Sequence, residues 1–265
     1  MKIKIDGRTR LYFILGDPIA QVKSPSGMSA AFQREGIHAA MLPAQIASTH
    51  LLPFLGAVDH LNNCDGLVIT VPHKFACFEH CSTVSQRASV LGAVNVMRRI
   101  DGGGWHGDML DGLGFVNAAE ARGLSLAGKQ ALLIGAGGAG SAIAFSLLQS
   151  RVAGVAVHDL DVSRRDALIE KLRHLGNVRA GSWSPAGYDV IANATPAGMS
   201  GHDYYPVDVN ELSERMFVGC VVTKPEITPL IAAARQAGCT TATGVDMYRA
   251  LEGLMVDFFS DRSER

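Results

Sequence analysis

Strand-length apolar runs separated by helix-length segments recur along almost the whole chain, and no other feature narrows the possible folds so far. LYFIL (11–15), AAMLPA (39–44), LVITV (67–71), ALLIG (131–135), VAVHD (155–159), DVIANA (189–194) and FVGCVV (217–222) read as strands. Candidate helices fall between them at 26–35, 48–59, 138–150, 162–175 and 226–237. Strands joined by helix-length segments form βαβ units, so the pattern predicts an α/β fold on mainly parallel sheets. One stretch breaks the rule. In AVNVMRRIDGGGWHGDM two strand-like pieces flank DGGG, whose glycines reach positive φ at little cost, and a β-hairpin is expected there.

At 265 residues the chain exceeds what one core usually fills, and two domains are expected. The segment from about 107 to 126 reads as mixed helix and loop; the boundary is placed near Asp111, with the second domain opening at Lys129. The last segment carries apolar residues at helical spacing (Met247, Leu251, Leu254, Met255, Phe258), without a pattern that assigns it to either domain. A formal charge of −1 with no block of like charges excludes an electrostatic footprint for nucleic acid or an anionic membrane. The apolar run Leu11 to Leu15 is too short for a signal sequence, and nothing approaches a transmembrane span. Five scattered cysteines (Cys64, Cys77, Cys81, Cys220, Cys239) read as reduced thiols, which makes a cytoplasmic location the expectation.

The most informative loop is ALLIGAGGAGSAIAFSLL. Gly135, Gly137 and Gly140 stand in G-x-G-x-x-G register directly after a strand and before a helix. The first glycine permits a tight turn, the second lets backbone approach a pyrophosphate, and the third lets helix and strand pack closely. The loop residues Gly138 and Ala139 then offer unpaired N–H groups at a helix N-terminus, where the helix dipole favours anions. Asp159 ends the next strand about 20 residues on, placed to accept both ribose hydroxyls of NAD. A carboxylate there repels a 2′-phosphate and the next residue is Leu160, so NAD is expected over NADP, although Arg164 and Arg165 lie one turn further on.

GDPIAQVKSPSGM, GLVITVPHK, LGAVNVMRR, GDMLDG, IGAGGAG, NATPAGM and GVDM follow one another in an order and spacing that resembles the shikimate/quinate dehydrogenase family. The resemblance implies an α/β substrate domain at 1–110 completed by a C-terminal helix within 244–265, a Rossmann dinucleotide-binding domain at 111–243, and an active site in the cleft. It implies hydride transfer between a nicotinamide and a ring secondary alcohol or ketone such as shikimate, quinate or a related cyclic hydroxy acid. Lys74 matches the family's catalytic lysine and Asp111 its partner. The chemistry agrees: oxidising an alcohol needs a group that takes the hydroxyl proton, and desolvation or cationic neighbours can fit a lysine to that task. An aspartate pushes the opposite way, so Asp111 is assigned mainly to orienting Lys74 and binding a substrate hydroxyl. Ser24, Thr70, Asn95 and Thr223 match substrate-binding positions, and Thr195, Pro196, Val221 and Gly244 match positions beside the nicotinamide and its ribose. Ser24, before Pro25, also reads as a helix N-cap.

Several family positions are altered. Val22, Val68, Thr223 and Leu251 stand where the family usually has serine, asparagine, tyrosine and glutamine, and Met109 and Leu110 replace the polar centre of GDNTDG. A polyhydroxylated acid would lose several hydrogen bonds there, so the substrate is expected to keep vicinal hydroxyls and carry a less polar or differently placed remainder. Lys224, beside Thr223, is a candidate replacement contact for a carboxylate. His73, Cys77, His80 and Cys81 crowd one segment, but ligands on a single helix wrap a tetrahedral ion poorly, and no metal is expected. Two other readings compete: a non-catalytic NAD- or metabolite-sensing module, and a methylenetetrahydrofolate dehydrogenase-like enzyme. The second expects a tyrosine spaced from a lysine in a helix of the first domain, and no tyrosine occurs between Tyr12 and Tyr188. A monomer or homodimer acting on a small molecule is the expected assembly.

Overall fold

The computed structural model describes residues 4–260 and divides the chain into two compact units, one running to Leu110 and resuming at Glu252, the other spanning Asp111–Leu251. The first contains β1 (Arg10–Gly16), α1 (Ser24–Arg34), β2 (Ala39–Gln45), α2 (Leu51–Asp59), β3 (Cys64–Ile69), α3 (Lys74–Glu79), β4 (Thr83–Val84), α4 (Gln86–Leu91), β5 (Val96–Arg99) and β6 (Trp105–Asp108). Its sheet has the order β2-β1-β3-β5-β6-β4. β1 pairs in parallel with β2 and β3, as expected of βαβ units, while β5 lies antiparallel to both β3 and β6. The β5–β6 hairpin is the one read from DGGG: Gly102, Gly103 and Gly104 all hold positive φ between Arg99 and its partner Trp105.

The second unit contains α5 (Asp111–Glu120), β7 (Gln130–Ile134), α6 (Gly138–Gln149), β8 (Gly154–His158), α7 (Val162–Leu172), β9 (Val178–Ala180), β10 (Val190–Asn193), β11 (Phe217–Cys220), α8 (Pro229–Gln236), β12 (Thr240–Ala242) and the start of α9 (Gly244–Ser260). Its strands are all parallel, in the order β12-β11-β10-β7-β8-β9. From β7 the chain winds outward through β8 to β9, then returns to β10 on the other side of β7 and winds outward to β12. This is the doubly wound Rossmann order, and its switch point lies between β7 and β10. Strands buried on both faces need continuous apolar sequence. Leu132, Ile134, Ile191 and Val218 supply it, packed with Leu230 and Ile231 of α8.

The stretch around 107–126 is mixed helix and loop, as expected, and its helix is the ten-residue α5, whose Gly112 lets it cross α6 closely: a Cβ there would collide with the Ala142 carbonyl. Several other elements differ from the sequence reading. Helix 48–59 is broken by a 3-10 turn at Ser48–His50, and helix 226–237 starts only at Pro229 because the Thr228 hydroxyl caps it by accepting from Ile231 N–H. The N-cap of α1 falls to Lys23, so Ser24 is its first residue rather than its cap. The short strands β4, β9 and β12 have two or three residues each, too few for an alternation to register.

The C-terminal helix does not belong wholly to the first unit. Gly244 to Leu251 packs with the second, since Asp246 pairs with Arg122 and Leu251 lies against Gly114. Thr243 and Asp246 cap the helix reciprocally, Asp246 Oδ2 accepting from Thr243 N–H and Thr243 Oγ1 accepting from Asp246 N–H. From Glu252 the helix joins the first unit, where Phe259 sits 4.9 Å from the ring of Tyr12 and fills the space left by Gly66.

Candidate active site

In the first unit Thr70 and Lys74 follow β3, Asn95 precedes β5, and Ser24 opens α1 after β1. β3 stops at Ile69; Thr70, Val71 and Pro72 turn the chain, and Lys74 begins α3 with its side chain buried, 8% exposed. Thr70 is held by its N–H donating to Leu15 carbonyl (2.9 Å) and its own carbonyl accepting from His73 N–H (3.0 Å). Gly16 makes room for it, because a Cβ there would meet the Thr70 methyl. The Lys74 carbonyl accepts from Val94 N–H (3.0 Å), which ties the start of α3 to the segment that carries Asn95.

Asn95 is 2% exposed and held by backbone at three atoms: its carbonyl accepts from Ile69 N–H (2.7 Å), its N–H donates to Asp108 carbonyl (2.9 Å), and its Oδ1 accepts from Leu110 N–H (2.7 Å). With the amide oxygen so placed, the Nδ2 end is the donor end. Ser24 is buried at the start of α1. Thr70, Lys74 and Asn95 are thus linked through main-chain hydrogen bonds of one unit. Asp111 is buried at the start of α5, in the other unit, directly following Leu110.

Among the altered positions, Val68 is a buried β3 residue paired with Ile14 and Val96, two residues before Thr70. Met109 and Leu110 are buried at 1% and 3% exposure, so those two side chains serve the core. Val22, Thr223 and Leu251 are half-buried, and Lys224 is exposed. The tempting histidine and cysteine cluster disperses: His73 Nε2 bonds the Ile46 carbonyl, His80 Nε2 pairs with Asp59, and the Cys81 thiol donates to the Cys77 carbonyl. Burial pushes the thiols of Cys77 and Cys81 up to about 12.

In the second unit the glycine loop occupies the switch point. Gly135 holds φ +96°, which only glycine adopts without strain. A Cβ on Gly140 would run into the Gly135 carbonyl oxygen, so that glycine is reserved for packing. Gly137 is different: its φ of −73° suits any residue, and a Cβ there would meet nothing within 4 Å. The open space above Gly137, with the N–H groups of Gly138, Ala139 and Gly140 in the first turn of α6, fits a diphosphate. Asp159 accepts from Ala136 N–H at Oδ2 (2.7 Å) and from Asp161 N–H at Oδ1 (2.8 Å). Each oxygen has a second lone-pair site, so the carboxylate braces the loop while remaining able to accept from a ribose.

Across the switch point, the turn after β10 is organised by Asn193, a residue the sequence reading passed over. Its Oδ1 accepts from both the N–H and the hydroxyl of Thr195 (3.1 and 2.7 Å), and Thr195 Oγ1 in turn accepts from Ala197 N–H (3.2 Å). An asparagine closing a buried strand before a Thr-Pro turn was the available signal. Pro196 follows in the same turn, and Gly198 holds φ +88°. Gly244 lies so close to the carbonyls of Val221 and Val222 that a Cβ would collide with both. The structure therefore brings Gly135, Gly137, Gly138, Ala139, Gly140, Asp159, Thr195 and Pro196 to loops beyond the carboxyl ends of neighbouring strands, with Val221 just after the next strand.

The family model for the shikimate dehydrogenase substrate binding domain matches residues 14–97. The shikimate dehydrogenase (NADP(+)) of Acidiphilium cryptum is 34% identical over 260 residues, covering 96% of this chain and 92% of its own. The structure of quinate dehydrogenase from Corynebacterium glutamicum in complex with NAD is similar at a TM-score of 0.86 with 28% identity, over 95% of this chain and 94% of that one. Ligand-free 5-ketofructose reductase of a Gluconobacter species is similar at 0.86 with 25% identity, over 98% and 96%.

Proposed function

We propose that this chain, which belongs to the shikimate/quinate dehydrogenase family, uses Lys74 as its proton-transferring group and prefers NAD. It is an NAD(P)-dependent oxidoreductase acting on CH–OH groups. The observation that carries the assignment is the buried Lys74, tied through the Val94 N–H to the segment holding Asn95. In alcohol oxidation Lys74 Nζ takes the hydroxyl proton, and in ketone reduction it returns one. Thr70 and Asn95 hold the substrate hydroxyls, the Asn95 Nδ2 donating, and Asp111 orients the lysine. When bound, the nicotinamide accepts or supplies the hydride. Gly138, Ala139 and Gly140 would hold its diphosphate and Asp159 the adenosine ribose.

The preference for NAD rests on Asp159, which would repel a 2′-phosphate, and on what the nearby arginines do. Arg164 lies 3.3 Å from Asp161 and 3.8 Å from Asp159, and Arg165 pairs with Asp166 at 2.8 Å, so aspartates already engage both cations. The substrate is a ring secondary alcohol or its ketone: shikimate, quinate or a related compound with vicinal hydroxyls and a less polar remainder. Val68 beside Thr70 supports the altered remainder, and so does the likeness to a reductase of 5-ketofructose, a polyhydroxy ketone without a carboxylate.

The test is a panel of shikimate, quinate, amino-shikimate and uncharged polyhydroxy ring alcohols, each with NAD and NADP, followed at the reduced-nicotinamide absorbance band; 5-ketofructose is run with the reduced cofactors. Faster turnover with NAD is expected, and equal rates with NADP would remove the Asp159 argument. A Michaelis constant for shikimate below about 1 mM would count against the altered pocket.

A further inference from the structure

Asp108 is buried, 5% exposed, and four donors converge on its carboxylate. Arg87 binds it with both arms of the guanidinium fork, Nε to Oδ1 and Nη2 to Oδ2, each at 2.7 Å. The Ser85 hydroxyl donates to Oδ1, as does the N–H of Met109 (2.7 Å). Three of these donors meet at Oδ1 and one at Oδ2, so the carboxylate is held at both oxygens. Ser85 is at the same time the N-cap of α4, accepting from Ala88 N–H (3.2 Å), which fixes the hydroxyl relative to the helix that carries Arg87.

The Asp108 main chain is where the arrangement meets the site. Its carbonyl receives the Asn95 N–H, and two residues on, the Leu110 N–H fixes the Asn95 amide oxygen. Asn95 therefore straddles the segment 108–110, touching it at both ends, and the first residue beyond that segment is Asp111. We infer that Arg87, acting through Asp108, is a positioning residue that sets the orientation of the Asn95 amide and the point at which α5 begins with Asp111. The inference rests on the reading of Asn95 and Asp111 as site residues. Bidentate guanidinium binding fixes a carboxylate in plane and angle, which a lysine point charge does not do.

The experiment compares wild type with Arg87→Met and Arg87→Lys, using amide hydrogen exchange resolved to residues 94–96 and 108–111, with turnover of the best substrate from the panel. In Arg87→Met, exchange at Asn95 and Leu110 is expected to rise at least tenfold while residues 130–134 keep their wild-type rates. Turnover is expected to fall roughly ten- to a hundredfold with the Michaelis constant for the dinucleotide unchanged, and added methylguanidinium should restore part of it. Arg87→Lys keeps the charge and serves if the methionine variant does not fold; its exchange and turnover should fall between wild type and Arg87→Met where both fold. Unchanged exchange at 108–111, or an equal rise across the whole first unit, overturns the inference. If the wild type turns over no ring alcohol, the functional reading fails, and the exchange data alone still decide whether Arg87 positions Asn95.

Discussion

On the proposed reading the two units would recognise their small molecules by different means. At the switch point of the second, the groups proposed to hold the diphosphate are main chain: three glycines, the first-turn N–H groups of α6, and a carboxylate bound to two backbone amides. In the first, the groups that would face substrate are side chains delivered by separate segments, Ser24, Thr70, Lys74 and Asn95. A backbone site is specified by where glycine is required, and side-chain substitution elsewhere hardly alters it. A side-chain site is open to change at each residue that supplies it, and Val68 is the proposed instance. On this reading substrate identity depends on single side chains in a way that the dinucleotide site does not.

The largest expected break in that comparison is Lys74→Ala. Losing a proton-transfer group should reduce kcat by about 10² to 10⁴, while NADH affinity, read by fluorescence titration, stays within twofold to threefold. Turnover surviving within a few fold would remove Lys74 from the chemistry.

Two glycines separate ligand space from packing space. Gly137→Ala should leave the melting temperature unchanged and weaken dinucleotide binding about tenfold or more, since its Cβ would enter only the space assigned to diphosphate. Gly140→Ala should instead destabilise the fold by about 1 to 3 kcal/mol, because the Gly135 carbonyl stands in the way. Denaturant unfolding of both variants checks the pair, and equal stability losses would erase the distinction.

Asp159→Asn probes the one side chain in the main-chain site. The proposed preference for NAD over NADP should fall by about tenfold, on the order of 1.4 kcal/mol, measured as the ratio of kcat/KM values. An unchanged ratio would mean that another group excludes the 2′-phosphate.

The smallest effect is expected at Asp246. Burial pushes its carboxyl up, but the N–H and hydroxyl of Thr243 and the Arg122 guanidinium outweigh that and hold it below the usual carboxylate range. A group whose folded pKa is depressed stabilises above its unfolded pKa of about 3.9, and that contribution is lost as pH falls through the lower folded value. Asp246→Asn should therefore cost about 1 kcal/mol at pH 7, with the gap to wild type closing below about pH 4. A constant gap across that range in urea titrations would show that charge is not involved.

The same contrast governed what could be read from sequence. The Rossmann unit was legible because G-x-G-x-x-G and the alternating strands are regularities of backbone, and they follow from local spacing. The DGGG hairpin was legible for the same reason. The substrate side was visible only through resemblance, since nothing local tells Lys74 from a solvated lysine; its burial depends on tertiary packing. The anchoring of Asn95 was not legible at all. Asp108, Arg87 and Ser85 each look like an ordinary charged or capping residue, and only the pairing of β4 with β6 brings α4 alongside the end of β6. The division of α9 escaped for a related reason: one amphipathic pattern runs through it, while its packing partners change at residue 251.

That helix also sets an order of events during synthesis. The aromatic cluster of Tyr12 and Phe32 is completed by Phe259, more than two hundred residues later in the chain. On the ribosome, the second unit can acquire nearly all of its sheet while the first still lacks a ring worth about 3 to 5 kcal/mol. The part translated first is therefore the part finished last. A nascent chain arrested after Leu251 should resist protease in its nucleotide-binding half and be cut readily around Gly66, where the vacant side of the sheet awaits Phe259.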